Sequence, residues 1–214
     1  MGRAWRGRRA LIAGLALLAP AALGCKMVAA PFLMWGPEPT KPVAAEYPYL
    51  EGKRVCIVVW TDRDVQFEYP FVQLEVSEHL AIPLKANVRG IAITPNRDVV
   101  DFQRREPDWD RMPPAQIGQR FGAERVLMVE LTLYTTREPE STHLYRGRIS
   151  ANVKVYDAAA PSAEAAYRTT VECAYPPDSH GAWGTDDRQI RKAMMEAFAN
   201  DVAQKFYEHR VKLQ

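Results

Sequence analysis

IGQRFGAERVLMVELTLY, residues 117–134, runs from a helix into a strand across a single glycine, and its reading decides the fold. Ile117 and Phe121 stand four apart as an apolar helical pair, Pro113 and Pro114 stand where a helix begins, and Gly122 suits the left-handed position just past its end. The residues from Glu124 to Tyr134 then form a strongly β-prone run. A second such run, KRVCIVVW at residues 53–60, is apolar on both faces, which predicts a central strand covered on both sides. Between the two lies a helical candidate over 69–82, with Val72, Val76 and Leu80 recurring every four residues and Phe71 and Leu74 alongside. Pro70 suits its first turn, and Pro83 is expected to end or kink it. Residues 61–68 read as a loop. A weaker strand is expected within Val88 to Thr94, continued by Val99 to Phe102 after Pro95-Asn96.

Downstream, Tyr145, Ile149, Ala151, Val153 and Val155 alternate with Arg146, Arg148, Ser150, Asn152 and Lys154, the pattern of an antiparallel strand with one wet face. Tyr167, Thr169, Val171, Cys173 and Tyr175 alternate likewise. From about Asp186 to Arg210, Ile190, Met194, Ala197, Phe198, Val202 and Phe206 recur at helical spacing, with Asp186 as cap and Arg210 and Lys212 at the negative end of the dipole. The order is β-α-β-α-β-β-β-α. It predicts one α/β domain over 51–214, built on a single mixed sheet with right-handed crossovers, a late antiparallel meander and an amphipathic C-terminal helix.

The chain opens with Arg3, Arg6, Arg8 and Arg9, then an apolar run from Ala10 to Leu18, then Ala21-Ala22-Leu23-Gly24 before Cys25. This resembles a bacterial lipoprotein signal peptide spanning residues 1–24. It departs from the usual lipobox in carrying Ala22 where Leu is common. The resemblance implies cleavage before Cys25, a diacylglycerol on its thiol and a membrane held through that lipid. An ordinary secretory signal is the alternative, and the run is short for a span. Removing residues 1–24 leaves 24 basic against 26 acidic side chains, a net charge of −2, so the basic balance of the whole chain belongs to the leader. No basic face for nucleic acid is expected. Residues 25–50 hold Pro31, Pro37, Pro39, Pro42 and Pro48 and read as a tether, or as a segment packed on the domain through Phe32, Trp35, Tyr47 and Tyr49. Cys56 and Cys173 form an even pair in a disulfide-permitting compartment; a bridge and two buried free thiols both stay open.

The helix, Gly122-Ala123-Glu124 and apolar strand from Val126 to Leu133 resemble envelope lipoproteins with a TolB N-terminal-like domain, the group of the CsgG and LpoB lipoproteins. The resemblance implies a non-catalytic accessory or scaffold subunit of an envelope assembly, with an envelope protein as partner. Lys26 after the cysteine implies the periplasmic face of the outer membrane rather than the inner membrane. A homo-oligomer is compatible with this reading. The charged tip of the hairpin near 124–157 argues against a pore.

No phosphate loop, HExxH, CxxC or GxSxG motif occurs after Cys25, and no cofactor or metal is expected. The weaker clusters are Glu75 with His79 on one helix face, and Asp178, His180, Asp186 and Asp187 beside Trp183. Asp62 and Asp64 follow the first strand at its carboxyl end, where ligands bind in open α/β sheets. Arg146, Arg148 and Lys154 line one strand face that an anionic partner would meet, and Trp109 is a candidate interface anchor. Two alternatives to the scaffold reading remain: a hydrolase or metal-dependent enzyme using Asp62, Asp64 and the 178–187 loop, and a carrier of an apolar ligand in a cavity under the sheet.

Overall fold

The computed structural model describes residues 40–138, 145–160, 164–177 and 186–212. The chain divides into a main unit, Pro42–His209, and a smaller one that holds, among the described residues, Thr40, Lys41 and Arg210–Lys212. In the smaller unit Arg210 Nε donates to Thr40 Oγ1 at 2.8 Å. Strands β1 (Thr40–Val43) and β7 (His209–Lys212) pair in a two-stranded sheet of their own.

The fold is mixed α/β. Its main sheet has five strands in the order β3-β2-β4-β5-β6, where β2 is Arg54–Trp60, β3 Ala92–Ile93, β4 Arg125–Arg137, β5 Tyr145–Asp157 and β6 Tyr167–Tyr175. β2 runs parallel to both β3 and β4, and β4-β5-β6 is an antiparallel meander. From β2 the chain steps to β3 in one direction and then back past β2 to β4. Crossovers of one hand place the connecting helices on opposite faces of the sheet.

On the inner face, helix α2 (Val72–Asn87) and the C-terminal helix α5 (Asp187–Ala203) pack on Val55, Ile57, Val59, Leu127, Val129 and the alternate residues Ile149 to Val155 of β5. On the second face, α3 (Asn96–Arg105), a 3₁₀ turn (Trp109–Arg111) and α4 (Pro114–Arg120) cover Cys56, Val58, Val126 and Met128. β2 is therefore buried on both sides, as its sequence predicts. Gly122 adopts φ +61°, the left-handed conformation that returns the chain into β4. Glu124 anchors that return: its amide donates to Arg54 O and its carboxylate accepts from Lys53 Nζ at 2.7 Å.

Four expectations give way. Residues 61–68 are not all loop, because Asp62 accepts from Val65 N and starts a short helix, α1 (Arg63–Glu68). Pro83 does not end α2, which runs on to Asn87 with Leu84 buried one residue beyond the proline. Val99 to Phe102 are helical, since Val99, Val100, Phe102 and Gln103 share a buried stripe while Asp98, Asp101 and Arg104 face water. The last helix stops at Ala203, continues as a 3₁₀ turn (Gln204–Phe206) and gives way to β7, so Arg210 and Lys212 lie in a strand rather than at the helix end. The core also begins before residue 51. Tyr47 and Leu50 are buried, and Tyr47 packs against Phe206 and Tyr167.

Candidate functional site

The carboxyl ends of β2 and β4 carry the densest buried polar chemistry among the described residues. Between Leu131 and Leu133 the register of β4 against β5 slips by one. This bulge turns Leu133 outward and brings Tyr134 and Thr136 onto the inner face, three and five residues after Leu131 rather than two and four. The Thr136 hydroxyl is bonded to the Tyr69 hydroxyl at 3.1 Å and donates to the carboxylate of Asp187 in the first turn of α5. Arg191 of α5 pairs with Glu75 of α2 at 3.7 Å. The Tyr134 ring meets Tyr69 edge-on, and its buried hydroxyl has no partner among the described residues. Burial, and after it the Glu75 charge, raises the Tyr134 phenol above its ordinary value. The cluster ties α1, α2, β4 and α5 together.

The other feature is the second face beyond α3 and α4. Over β4, β5 and β6 this face is a polar ladder with no element across it among the described residues. Thr132 Oγ1 donates to Ser150 Oγ at 3.2 Å, Thr170 Oγ1 donates to the Asn152 side chain at 3.0 Å, and Lys154 Nζ reaches both Glu130 carboxylate oxygens at 2.7 and 2.8 Å. A shallow groove of about 390 Å³ crosses it, lined by Leu133, Arg148, Ser150, Glu172 and Ala174 among others.

The structure places the sequence candidates as follows. Arg148 and Lys154 do face outward on β5, but each is neutralised, by Glu138 and Glu130 respectively, and Arg146 donates to Pro177 O. Two of the three cations of the stripe are thus paired with acids, and Arg146 keeps its charge with a carbonyl as its acceptor. Trp109 is buried in the second-face core with Phe102 and Ile117, so it is no exposed anchor. Asp62 is the cap of α1 and Asp64 its first-turn acid. Asp186 caps α5, accepting from Gln189 N at 2.7 Å. Nothing among the described residues joins Asp62 or Asp64 to Asp186 or Asp187. His79 Nδ1 is bonded to the Glu75 carbonyl while the Glu75 carboxylate turns to Arg191, so the two do not converge as ligands. Cys25, Asp178, His180 and Trp183 lie outside the described residues.

A Cys56–Cys173 bridge is excluded. β4 and β5 separate β2 from β6, three strand spacings or roughly 14 Å, and the two thiols lie on opposite faces of the sheet. Burial pushes the Cys56 thiol up to about 12; burial and the Asp201 charge push Cys173 up to about 11. Both stay protonated and unreactive at neutral pH.

What fold and surface define is a mixed five-stranded α/β domain with one covered face and one half-open face. No protein-family model matches the chain, and no curated protein does. Among solved structures it is similar to the PelC dodecamer from Paraburkholderia phytofirmans, at a TM-score of 0.47 and 10% identity over 79% of this chain and 98% of that one. It is also similar to lipoprotein GNA1162 from Neisseria meningitidis, at 0.46 and 18% over 70% and 97%. A minor lipoprotein from Acinetobacter baumannii aligns at 0.34 and 11% over 72% and 88%. Two of these three are named lipoproteins.

Proposed function

We propose that the protein is a lipid-anchored, non-catalytic binding subunit of a bacterial cell-envelope assembly, related to the TolB N-terminal-like lipoproteins. The observation that carries this reading is the run of four arginines, the short apolar stretch and the small residues before Cys25. Diacylglycerol on that thiol, with an N-acyl chain such as palmitate, supplies the two or more hydrocarbon tails that stable anchoring needs. The proline-rich stretch after Cys25 sets the distance from the membrane at which Tyr47 docks the chain onto the domain. The half-open sheet face then meets an envelope protein at the periplasmic side, in the outer membrane by the criterion of Lys26. Its neutralised cations favour a partner that reads hydroxyl and amide ladders over one that reads charge.

The test is metabolic labelling with a radioactive fatty acid, followed by in-cell cross-linking and mass spectrometry, on the full chain and on Cys25→Ala. Label on the full chain alone, with an envelope protein cross-linked more strongly when the anchor is intact, supports the reading. Unlabelled full chain in the soluble fraction overturns it.

A further inference from the structure

The two edges of the main sheet are unlike. β3 is two residues long, too short to template anything, whereas β6 presents nine residues, Tyr167 to Tyr175, with no proline inside and a register against β5 free of bulges. Long, flat, unpaired edges are what folded proteins ordinarily blunt. Among the described residues no hydrogen bond reaches the backbone of β6 from the side away from β5. Beside this edge, Thr170, Val171 and Glu172 border an open groove of about 330 Å³ whose other walls are Val43, Glu46, Asp201, Gln204, Lys205 and His209, and the Tyr167 side chain at the start of the strand is held by Glu46 and Tyr47.

The side chains of this edge are self-complementary. Arg168, Thr170 and Glu172 are exposed on the open face, and neither Arg168 nor Glu172 has an ion-pair partner among the described residues. An antiparallel copy of the strand laid alongside, with a two-fold axis at Thr170, sets Arg168 opposite Glu172 of the other copy and Glu172 opposite its Arg168. On the inner side the same register sets Thr169 against Val171 and Tyr167 against Cys173. Every cross-strand pair is then of opposite charge, or of β-branched or apolar kind, the pairs that stabilise sheets. A register slip of one residue either way destroys both charge matches.

We propose that β6 is a self-association edge: two copies of this chain pair antiparallel through Tyr167–Cys173 about Thr170, joining their sheets into one continuous sheet. The proposal goes beyond the envelope-binding reading and needs no lipid. A single strand pair buries less than the ~1,200 Å² of a standard interface, so the dimer is weak and is measured at micromolar and higher concentrations.

The experiment is sedimentation velocity on the full chain in mild detergent, with the Cys25→Ala form in parallel to separate strand pairing from shared micelles. Arg168→Glu and Glu172→Arg each turn two attractive pairs into two repulsive ones, and each raises the dimer dissociation constant about tenfold or more. The double variant restores it. So does an equimolar mixture of the two single variants, because each then finds its complement in the other. Both positions are exposed, and circular dichroism confirms that the fold is retained. A wild type that stays monomeric, association lost with Cys25→Ala, single variants that associate like wild type, or a mixture that fails to recover each overturns the proposal.

Discussion

The carbonyl of Val59 offers a test of how the helices are held to the central strand. β3 ends after two residues, so β2 has a ladder partner on that side only as far as Val55, whose carbonyl accepts from Thr94 N at 3.0 Å. Strand carbonyls alternate, and Val59 O points to this same side, where no strand remains. Two buried amides replace the ladder: Gln73 Nε2 of α2 donates at 3.0 Å and Gln103 Nε2 of α3 at 2.9 Å, one from each face. Replacing either glutamine by methionine removes one donor and leaves the carbonyl a second, so each costs about 1 kcal/mol. Gln103→Met costs the less of the two, because Gln103 Oε1 is buried without a partner and its removal relieves that. The double variant strands a buried carbonyl, worth ~1–3 kcal/mol by itself, and its total comes to about 3 kcal/mol against the ~2 kcal/mol of the sum. Urea unfolding of the four proteins reads this coupling of about 1 kcal/mol. Additivity within ~0.3–0.5 kcal/mol would refute the shared-acceptor argument.

Half-burial raises the Asp201 carboxyl, with Lys205 opposing, so the folded chain holds that proton more tightly than the unfolded one. The charge then costs stability above that range, and Asp201→Asn raises Tm at pH 7 with the gain vanishing below about pH 4. Glu46 is the opposite case. Hydrogen bonds from Lys205 and Tyr167 lower it, so its contribution is present above about pH 4.3 and is lost as pH falls through the lowered value; Glu46→Gln destabilises at pH 7 and approaches wild type in acid. A Cβ on Gly118 would lie 2.7 Å from Val126 Cγ2 and 2.9 Å from Ala158 Cβ, so Gly118→Ala costs about 1–3 kcal/mol in thermal or chemical unfolding, and adding Ala158→Gly recovers part of it. In the Cys25→Ala background, two thiols titrate after unfolding without reductant, and Cys173 labels before Cys56 in the native state.

Elements whose burial is settled by a long period were legible. The alternation of β5 from Ile149 to Val155 appears in the structure residue for residue, as does the apolar run of β2 that needs cover on both faces. Short elements were not. α1 buries none of its six residues and rests on one cap at Asp62, which leaves no hydrophobic signature to read. Val99, Val100 and Phe102 of α3 are β-prone and read locally as strand; the distant surface of β2, against which a helical stripe packs, decides for helix. Pro83 shows the same override, since the helix is carried past it by Leu84 and Val88 buried in the inner core.

The candidate site was less legible for a reason that register explains. A list of charges along β5 does not say which of them are free, because Lys154 is cancelled by Glu130 only through the pairing of Asn152 with Glu130 in β4, and Arg148 by Glu138 only after the bulge at Thr132 shifts that register by one. Among the described residues, charge left unpaired on this face sits on Arg146 at the start of β5 and, where the sheet has no further strand to answer it, on Arg168 and Glu172 of β6. Strand order, invisible in the local pattern, therefore pairs two of the three cations of an apparent basic stripe, and leaves unanswered chemistry at an edge whose two opposite charges, four residues apart, fit a second copy of themselves.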